Sequence, residues 1–333
     1  MLDKNLKAMI MAAGMGSRLE PLTLMMPKPL IPVMNMPLMD IILTQLSELG
    51  VKDVISNTYY LADQIIDRYK KNNLGINFNY IKETNLSGTA GGVKKCQHFF
   101  DEGEDFIVIS GDVLTNADIK KGIEIHKKSN AIATIGIKQI PHEHVSHFGV
   151  VVTDENGFIT EFQEKPSVEE AKSNFINTGI YIFNYKIFDY IPENIFYDFA
   201  KNVFPKLLEE KAINTFEVSE YWNDVGTISQ YKQSIQDVFN GVCKIKHPQI
   251  TETNLGTYVS GKTKIPETVR FVGNNVVGKN CKLGEYIKLE NCIVLDNAEI
   301  KTGSELTDCI ILPSEKTLGT KQTKQELKTV TVK

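Results

Sequence analysis

The chain has 333 residues, 37 Lys plus Arg against 41 Asp plus Glu, and a formal net charge of −4. At 42% hydrophobic and 23% charged it has a globular composition, neither disordered nor fibrous, and its length suggests two domains. The acidic balance argues against general nucleic-acid binding, while leaving room for a small anion held by a few local cations.

Lys4 and Lys7 precede the apolar run Ala8–Ala13, which ends in Gly14-Met15-Gly16-Ser17-Arg18. This reads as a buried strand and turn, not a signal peptide. Asp40–Leu49 has helical spacing and stops at Gly50. Val54–Ser56 is a second strand, Leu61–Lys71 a second helix, Ile76–Ile81 a third strand, and Phe106–Ser110 a fourth that runs into Gly111-Asp112. Strand–helix alternation with near-continuous apolar strands predicts an α/β fold, a mainly parallel Rossmann-like sheet with helices on both faces. Such sheets bind ligands at the carboxyl ends of their strands, where the Gly14 loop and Asp112 fall. Residues 148–163 read as a hairpin around Asn156-Gly157, an antiparallel insertion beside the main sheet.

After residue 256 apolar residues recur every six positions, at Ile265, Phe271, Val277, Leu283 and Leu289, then after a one-residue slip at Val294, Ile300, Leu306 and Leu312. That period predicts a short parallel β-helix of hexapeptide repeats, about three coils long. The expected organisation is a catalytic domain over 1–240, a linker over 241–256, the β-helix over 257–313 and a mobile polar tail over 314–333. The open coil ends predict a homo-oligomer formed through this region. Five cysteines with no C-x-x-C pair predict reduced thiols of a cytoplasmic protein, with Cys281, Cys292 and Cys309 as small interior hydrophobes. No stretch approaches the roughly 18 apolar residues of a membrane helix.

The chemistry begins at Ala12-Ala13-Gly14-Met15-Gly16-Ser17-Arg18-Leu19, followed by Pro27-Lys28-Pro29-Leu30. Two glycines after a buried strand let backbone N–H groups approach an anion. The dinucleotide fingerprint needs Gly or Ala where Leu19 stands, and no Gly-Lys-Ser/Thr closes a P-loop. One of the chain's three arginines and a lysine pinned between two prolines suit a polyphosphate. A tight turn with solvated charges is the plain alternative.

These segments resemble the sugar-1-phosphate nucleotidylyltransferases, whose opening pattern A-A-G-x-G-x-R-L and K-P-x-x-P are matched from Ala12 to Pro32. The resemblance continues in order through Glu83–Gly92 (ETNLSGTAGG), Gly111-Asp112, Phe148-Gly149-Val150, Glu164-Lys165-Pro166, Asn177-Thr178-Gly179 and Trp222–Thr227. One branch of the family also carries a hexapeptide tail, there left-handed. The resemblance implies nucleotide binding by Ala13, Gly14, Gly16, Arg18, Lys28, Glu83, Gly88 and Thr89, and sugar-phosphate binding by Gly149, Glu164, Lys165 and Asn177. Asp112 and Asp224 would hold Mg²⁺, and Arg18, Lys28 and Asp112 would carry catalysis.

In the implied reaction a sugar 1-phosphate oxygen attacks the α-phosphorus of a nucleoside triphosphate. The nucleophile is already ionised, since a phosphate monoester's second pKa is about 6, so no general base is required. His142, His144 and His147, beside Pro141, are read as a surface loop. An ionised Glu83 is acceptor-only and matches guanine's two adjacent donors better than uracil's single one. This favours GTP and the mannose-1-phosphate guanylyltransferases, with a UTP- or dTTP-dependent glucose-1-phosphate enzyme as the alternative. Leu86-Ser87 replaces the family's usual Pro-Leu, which bears on base selectivity. A non-catalytic regulatory homologue would be expected to lack some of Arg18, Lys28, Asp112 and Asp224. An acyltransferase would be expected to carry a histidine in the hexapeptide region, which has none.

Overall fold

The computed structural model describes residues 6–71, 74–246, 250–253, 256–313 and 331–332. Two compact units emerge, one formed by the residues up to Ile31 and Leu38–Gln230, the other by Pro32–Pro37 and the residues from Tyr231 on.

The first unit is built on nine strands, β1 (Lys7–Ala12), β2 (Asp53–Thr58), β3 (Asn77–Lys82), β4 (Asp105–Ser110), β5 (Ala133–Gln139), β6 (Gly149–Thr153), β7 (Ile159–Glu164), β8 (Phe175–Asn184) and β9 (Ile213–Glu217). They form one sheet in the order β7-β6-β8-β4-β1-β2-β3, with β5 pairing β8 and β9. β1 to β4 are parallel, as are β5 and β9, but β8 runs against β4, β5 and β6. The sheet is therefore mixed and mostly parallel, as its sequence predicts, with β7 and β8 running against the other strands. The hairpin is no separate insertion: β6 pairs β8 through Val150 and Val151 and extends the main sheet. Its turn is held by Asp154, whose Oδ1 accepts from the N–H groups of Asn156 and Phe158, with Gly157 at φ +80°.

The apolar strands serve two cores. Met9, Phe106 and Val108 face one, with Phe183, Phe188 and Phe204; Ala8, Ile10, Ile107 and Ile109 face the other, with Leu46 and Ile65. Period-2 alternation within a continuously apolar strand is what a sheet covered on both faces demands. Helix α1 (Leu38–Glu48) supplies Leu46 and ends at Gly50, whose φ of +93° lets Val51 N–H return to the Leu46 carbonyl. Helix α2 (Ala62–Lys71) supplies Ile65, and α3 (Gly88–Lys95) closes the other face with Ala90 and Val93.

In the second unit short parallel strands stack in register, Val277 beside Val294 and Val294 beside Ile311, Leu283 beside Ile300, and Leu289 beside Leu306. They lie in three sheets, and the pairing is consistent with a β-helix. Most register partners are seventeen residues apart, one short of three hexapeptides, which explains the slip in the sequence period. The apolar positions point inward together with Cys281, Cys292 and Cys309, and burial pushes the Cys281 and Cys292 thiols up. Tyr231, in helix α4 (Ile228–Phe239), is fully buried and donates to the Pro32 carbonyl at 2.7 Å. From Tyr231 on this helix belongs to the second unit, although its sequence places it in the first domain. Of the polar tail, Thr331–Val332 pairs antiparallel with Ile310–Ile311; residues 314–330 and 333 lie outside the described ones. No described helix is long and apolar enough to cross a membrane.

Candidate active site

Two cavities open at the carboxyl ends of β1 and β4, and Asp112 lines both. The first, about 220 Å³, is walled by Ala12, Gly14, Gly16, Ser17, Arg18, Lys28 and Gly226. Gly16 has φ +66°, and a Cβ there would come within 3.1 Å of Lys28 Cβ, so only glycine lets the loop fold back over the lysine. At Gly14 a Cβ would meet no protein atom within 4 Å, because that position faces the cavity. Lys28 is 7% exposed and its Nζ lies 2.6 Å from Asp112 Oδ2. Arg18 is exposed at the rim, on the side of Asp224.

The second cavity, about 230 Å³, brings together Thr89, Asp112, Gly149, Glu164, Lys165, Asn177 and Asp224. Gly149 is required because a Cβ would sit 2.6 Å from the Phe162 ring. β8 bulges between Asn177 and Tyr181, where Gly179 has φ +75°, and this turns Asn177, Thr178 and Tyr181 toward the cavity. Asn177 donates to the Tyr181 hydroxyl at 3.0 Å. Lys165 holds a left-handed backbone, φ +50°, with Nζ 3.9 Å from Glu164. Burial raises the Glu164 carboxyl, only partly offset by Lys165, and Asp198 raises it further. Burial also raises Asp224, and Asp112 adds to this while Lys28 and Arg18 oppose it. Gln230 Nε2 fixes Asp224 Oδ1 at 2.6 Å, and Val225, fully buried with φ +41°, sets the turn behind it. Two cations in the first cavity, and a lysine among carboxylates and an amide in the second, suit a ligand with several phosphates joined to a hydroxylated ring.

The sequence profile of the nucleotidyl transferase family matches residues 7–241. A UTP–glucose-1-phosphate uridylyltransferase of Synechocystis sp. is 35% identical, over 92% of this chain and 87% of its own. A mannose-1-phosphate guanyltransferase of Yarrowia lipolytica is 32% identical, over 94% of this chain and 98% of its own. This chain is a sugar-1-phosphate nucleotidyltransferase. A solved UDP-glucose pyrophosphorylase bound to UDP-glucose shares the fold, with a TM-score of 0.62 and 22% identity over 71% of this chain and 99% of that one.

Not every residue singled out in this nucleotidyltransferase reaches a cavity. Ala13 is buried and lines neither. Gly88 sits where a Cβ would lie 2.4 Å from the Tyr197 carbonyl, so it serves the docking of residues 195–197 on α3. The amides of Ala90 and Gly91 donate to that same carbonyl. Glu83 is the largest departure: its side chain is 1% exposed, and it accepts from Asn57, Lys95 and Ser87. Conversely, His147 lines the second cavity instead of standing in a plain surface loop. Asp198 and Tyr181 line it too, unsignalled by any short motif; Asp198 Oδ2 accepts from Thr89 Oγ1 at 2.9 Å.

Proposed function

We propose that this nucleotidyltransferase moves a nucleoside monophosphate from a nucleoside triphosphate to a sugar 1-phosphate, releasing pyrophosphate, with the triphosphate on the Gly14–Gly16 loop and the sugar phosphate in the second cavity. The observation that carries this assignment is Asp112, shared by a cavity lined with Lys28 and Arg18 and one lined with Glu164, Lys165 and Asn177. Lys28 and Arg18 neutralise the triphosphate and the departing pyrophosphate, Lys165 clamps the sugar phosphate, and Glu164 and Asn177 hold sugar hydroxyls. The phosphate nucleophile is ionised near neutral pH, so the chain needs to supply charge and alignment rather than a base.

Asp112 and Asp224 line one cavity; burial raises the Asp224 carboxyl and the neighbouring Asp112 adds to it, and a divalent cation would oppose both effects. Two carboxylates with room for phosphate and water fit Mg²⁺. When bound, that ion supplies further neutralisation of the phosphates.

The preference for GTP rested on Glu83, and with its carboxylate engaged by three protein donors that support is gone. UTP with glucose 1-phosphate is the pair we place first, on the strength of the 35% relative. GTP with mannose 1-phosphate is the second reading, supported by the relative whose length this chain spans almost entirely. Pyrophosphate release across a panel of triphosphates and sugar 1-phosphates, with Mg²⁺ and then with excess chelator, tests both. No release with any pair would favour a non-catalytic homologue.

The parallel strands after residue 256 we read as a left-handed β-helix through which copies of the chain associate. A monomer in light scattering of the full chain would count against that association.

A further inference from the structure

Three buried polar side chains outside the cavities, Asn57, Glu83 and Ser87, form one connected chain with the half-buried Lys95. Asn57, in β2, is 5% exposed, and its side-chain amide faces two ways. Nδ2 donates to Glu83 Oε1 at 2.7 Å, and Oδ1 accepts the backbone N–H of Ala12 at 3.2 Å. Ala12 is the last residue of β1, the point from which the Gly14 loop departs, and it lines the first cavity. Ser87 and Lys95 donate to the other Glu83 oxygen, Lys95 at 3.0 Å. Gly92 in α3 makes room for the arrangement, because a Cβ there would lie 2.6 Å from Asn57 Nδ2.

The orientation of the amide follows from these partners. An ionised carboxylate only accepts, so Glu83 obliges Asn57 to present its NH₂ group, and this turns the carbonyl oxygen toward Ala12. Were the amide flipped, NH₂ would face the Ala12 N–H and a carbonyl would face the carboxylate. Both contacts would become repulsive in a buried setting, where unpaired polar groups are costly.

We propose that Asn57 is a positioning residue for the phosphate loop and that Glu83, through Asn57, sets that loop and does not read the base. This rests on the reading of the first cavity as the triphosphate site. Inorganic tripolyphosphate is the discriminating probe, because it has no base.

The experiment measures tripolyphosphate affinity by calorimetry, together with KM and kcat for UTP, GTP and ATP, in the wild type, Asn57→Ala, Glu83→Leu and Glu83→Gln. Asn57→Ala and Glu83→Leu are expected to weaken tripolyphosphate by about tenfold, the worth of roughly one hydrogen bond, and to raise every triphosphate KM in proportion. The sugar 1-phosphate KM should stay unchanged. Glu83→Gln keeps an oxygen for Asn57 Nδ2 and should restore tripolyphosphate affinity, with the UTP to GTP ratio as in the wild type. An unchanged tripolyphosphate affinity in Asn57→Ala, or a shifted UTP to GTP ratio with normal tripolyphosphate binding in Glu83→Gln, overturns the inference. Should Asn57→Ala fail to fold, Glu83→Leu against Glu83→Gln decides by the same outcomes. A wild type that turns over no pair and binds no tripolyphosphate instead refutes the functional reading, and the inference falls with it.

Discussion

Replacing Lys28 by Met separates catalysis from stability. Lys28 Nζ and Asp112 Oδ2 are 2.6 Å apart, and the side chains are 9% and 34% exposed. Losing one partner of a fully buried pair costs about 3–5 kcal/mol. Here a third of Asp112 is open to water, which rehydrates the stranded carboxylate, so we expect a loss of about 1–2 kcal/mol. That corresponds to a fall in Tm of only a few degrees for a domain of about 150–250 residues. The effect on rate is larger. Removing one preorganised charge or donor from a developing anion costs about 10²–10³ in kcat, and with Lys28 gone Arg18 alone among the walls of that cavity carries positive charge. Lys28→Arg should recover little, because the position is buried between Pro27 and Pro29 and guanidinium is bulkier. The assay is steady-state pyrophosphate release on the best substrate pair, with a thermal melt alongside. A Lys28→Met enzyme that melts normally and works within tenfold of wild type would refute the role given to this lysine.

Gly88→Ala should destabilise the first unit by about 2–4 kcal/mol, since its Cβ would lie 2.4 Å from the Tyr197 carbonyl on a residue with φ +77°; an unchanged urea midpoint would contradict this packing. Burial by itself would raise the Asp105 carboxyl, but hydrogen bonds from His126 and Asn184 outweigh it and hold the group below the usual range. A depressed carboxyl contributes stability that is present above the unfolded pKa, about 4, and is lost as pH falls through the folded one. The wild type should therefore lose more stability than Asp105→Asn on acidification from about pH 5 to 3, and parallel curves would count against the assignment. Asn275 is fully buried, donates to the Val272 carbonyl at 2.9 Å and accepts from Cys292 N–H at 2.9 Å. Asn275→Ala should cost about 2–3 kcal/mol and speed amide exchange at Val276 and Ile293 by roughly a hundredfold; unaltered protection there would show that the coil does not depend on it.

Much of the molecule was legible along the chain because its determinants are local. Met9, Phe106 and Ile107 announce buried strands by being apolar on successive residues, and Gly50 ends its helix as expected. The hexapeptide phase was readable because Val277, Val294 and Ile311 repeat an environment at near-constant spacing. Gly14 and Asp112 are legible because each follows the end of such a strand, and Arg18 and Lys28 because glycines and prolines frame them. The reach of β6 into the main sheet was not legible, since nothing near Val150 encodes that Ile176 is its partner. Nor was the place of Asp198 in the second cavity, which is brought there by a segment with no motif of its own.

What the sequence by itself determined is the class of the protein: an α/β sheet with a glycine loop after its first strand, Asp112 after another, and two cations framed by glycines and prolines, because strand period and glycine conformation act over a few residues. What only the tertiary structure decided is which of those polar residues face a ligand and which face each other. Glu83 has the chemistry to read a base, yet Asn57, Ser87 and Lys95 converge on it from 26 residues before it to 12 residues after it. A carboxylate's role depends on which donors reach it first, and that is a property of packing.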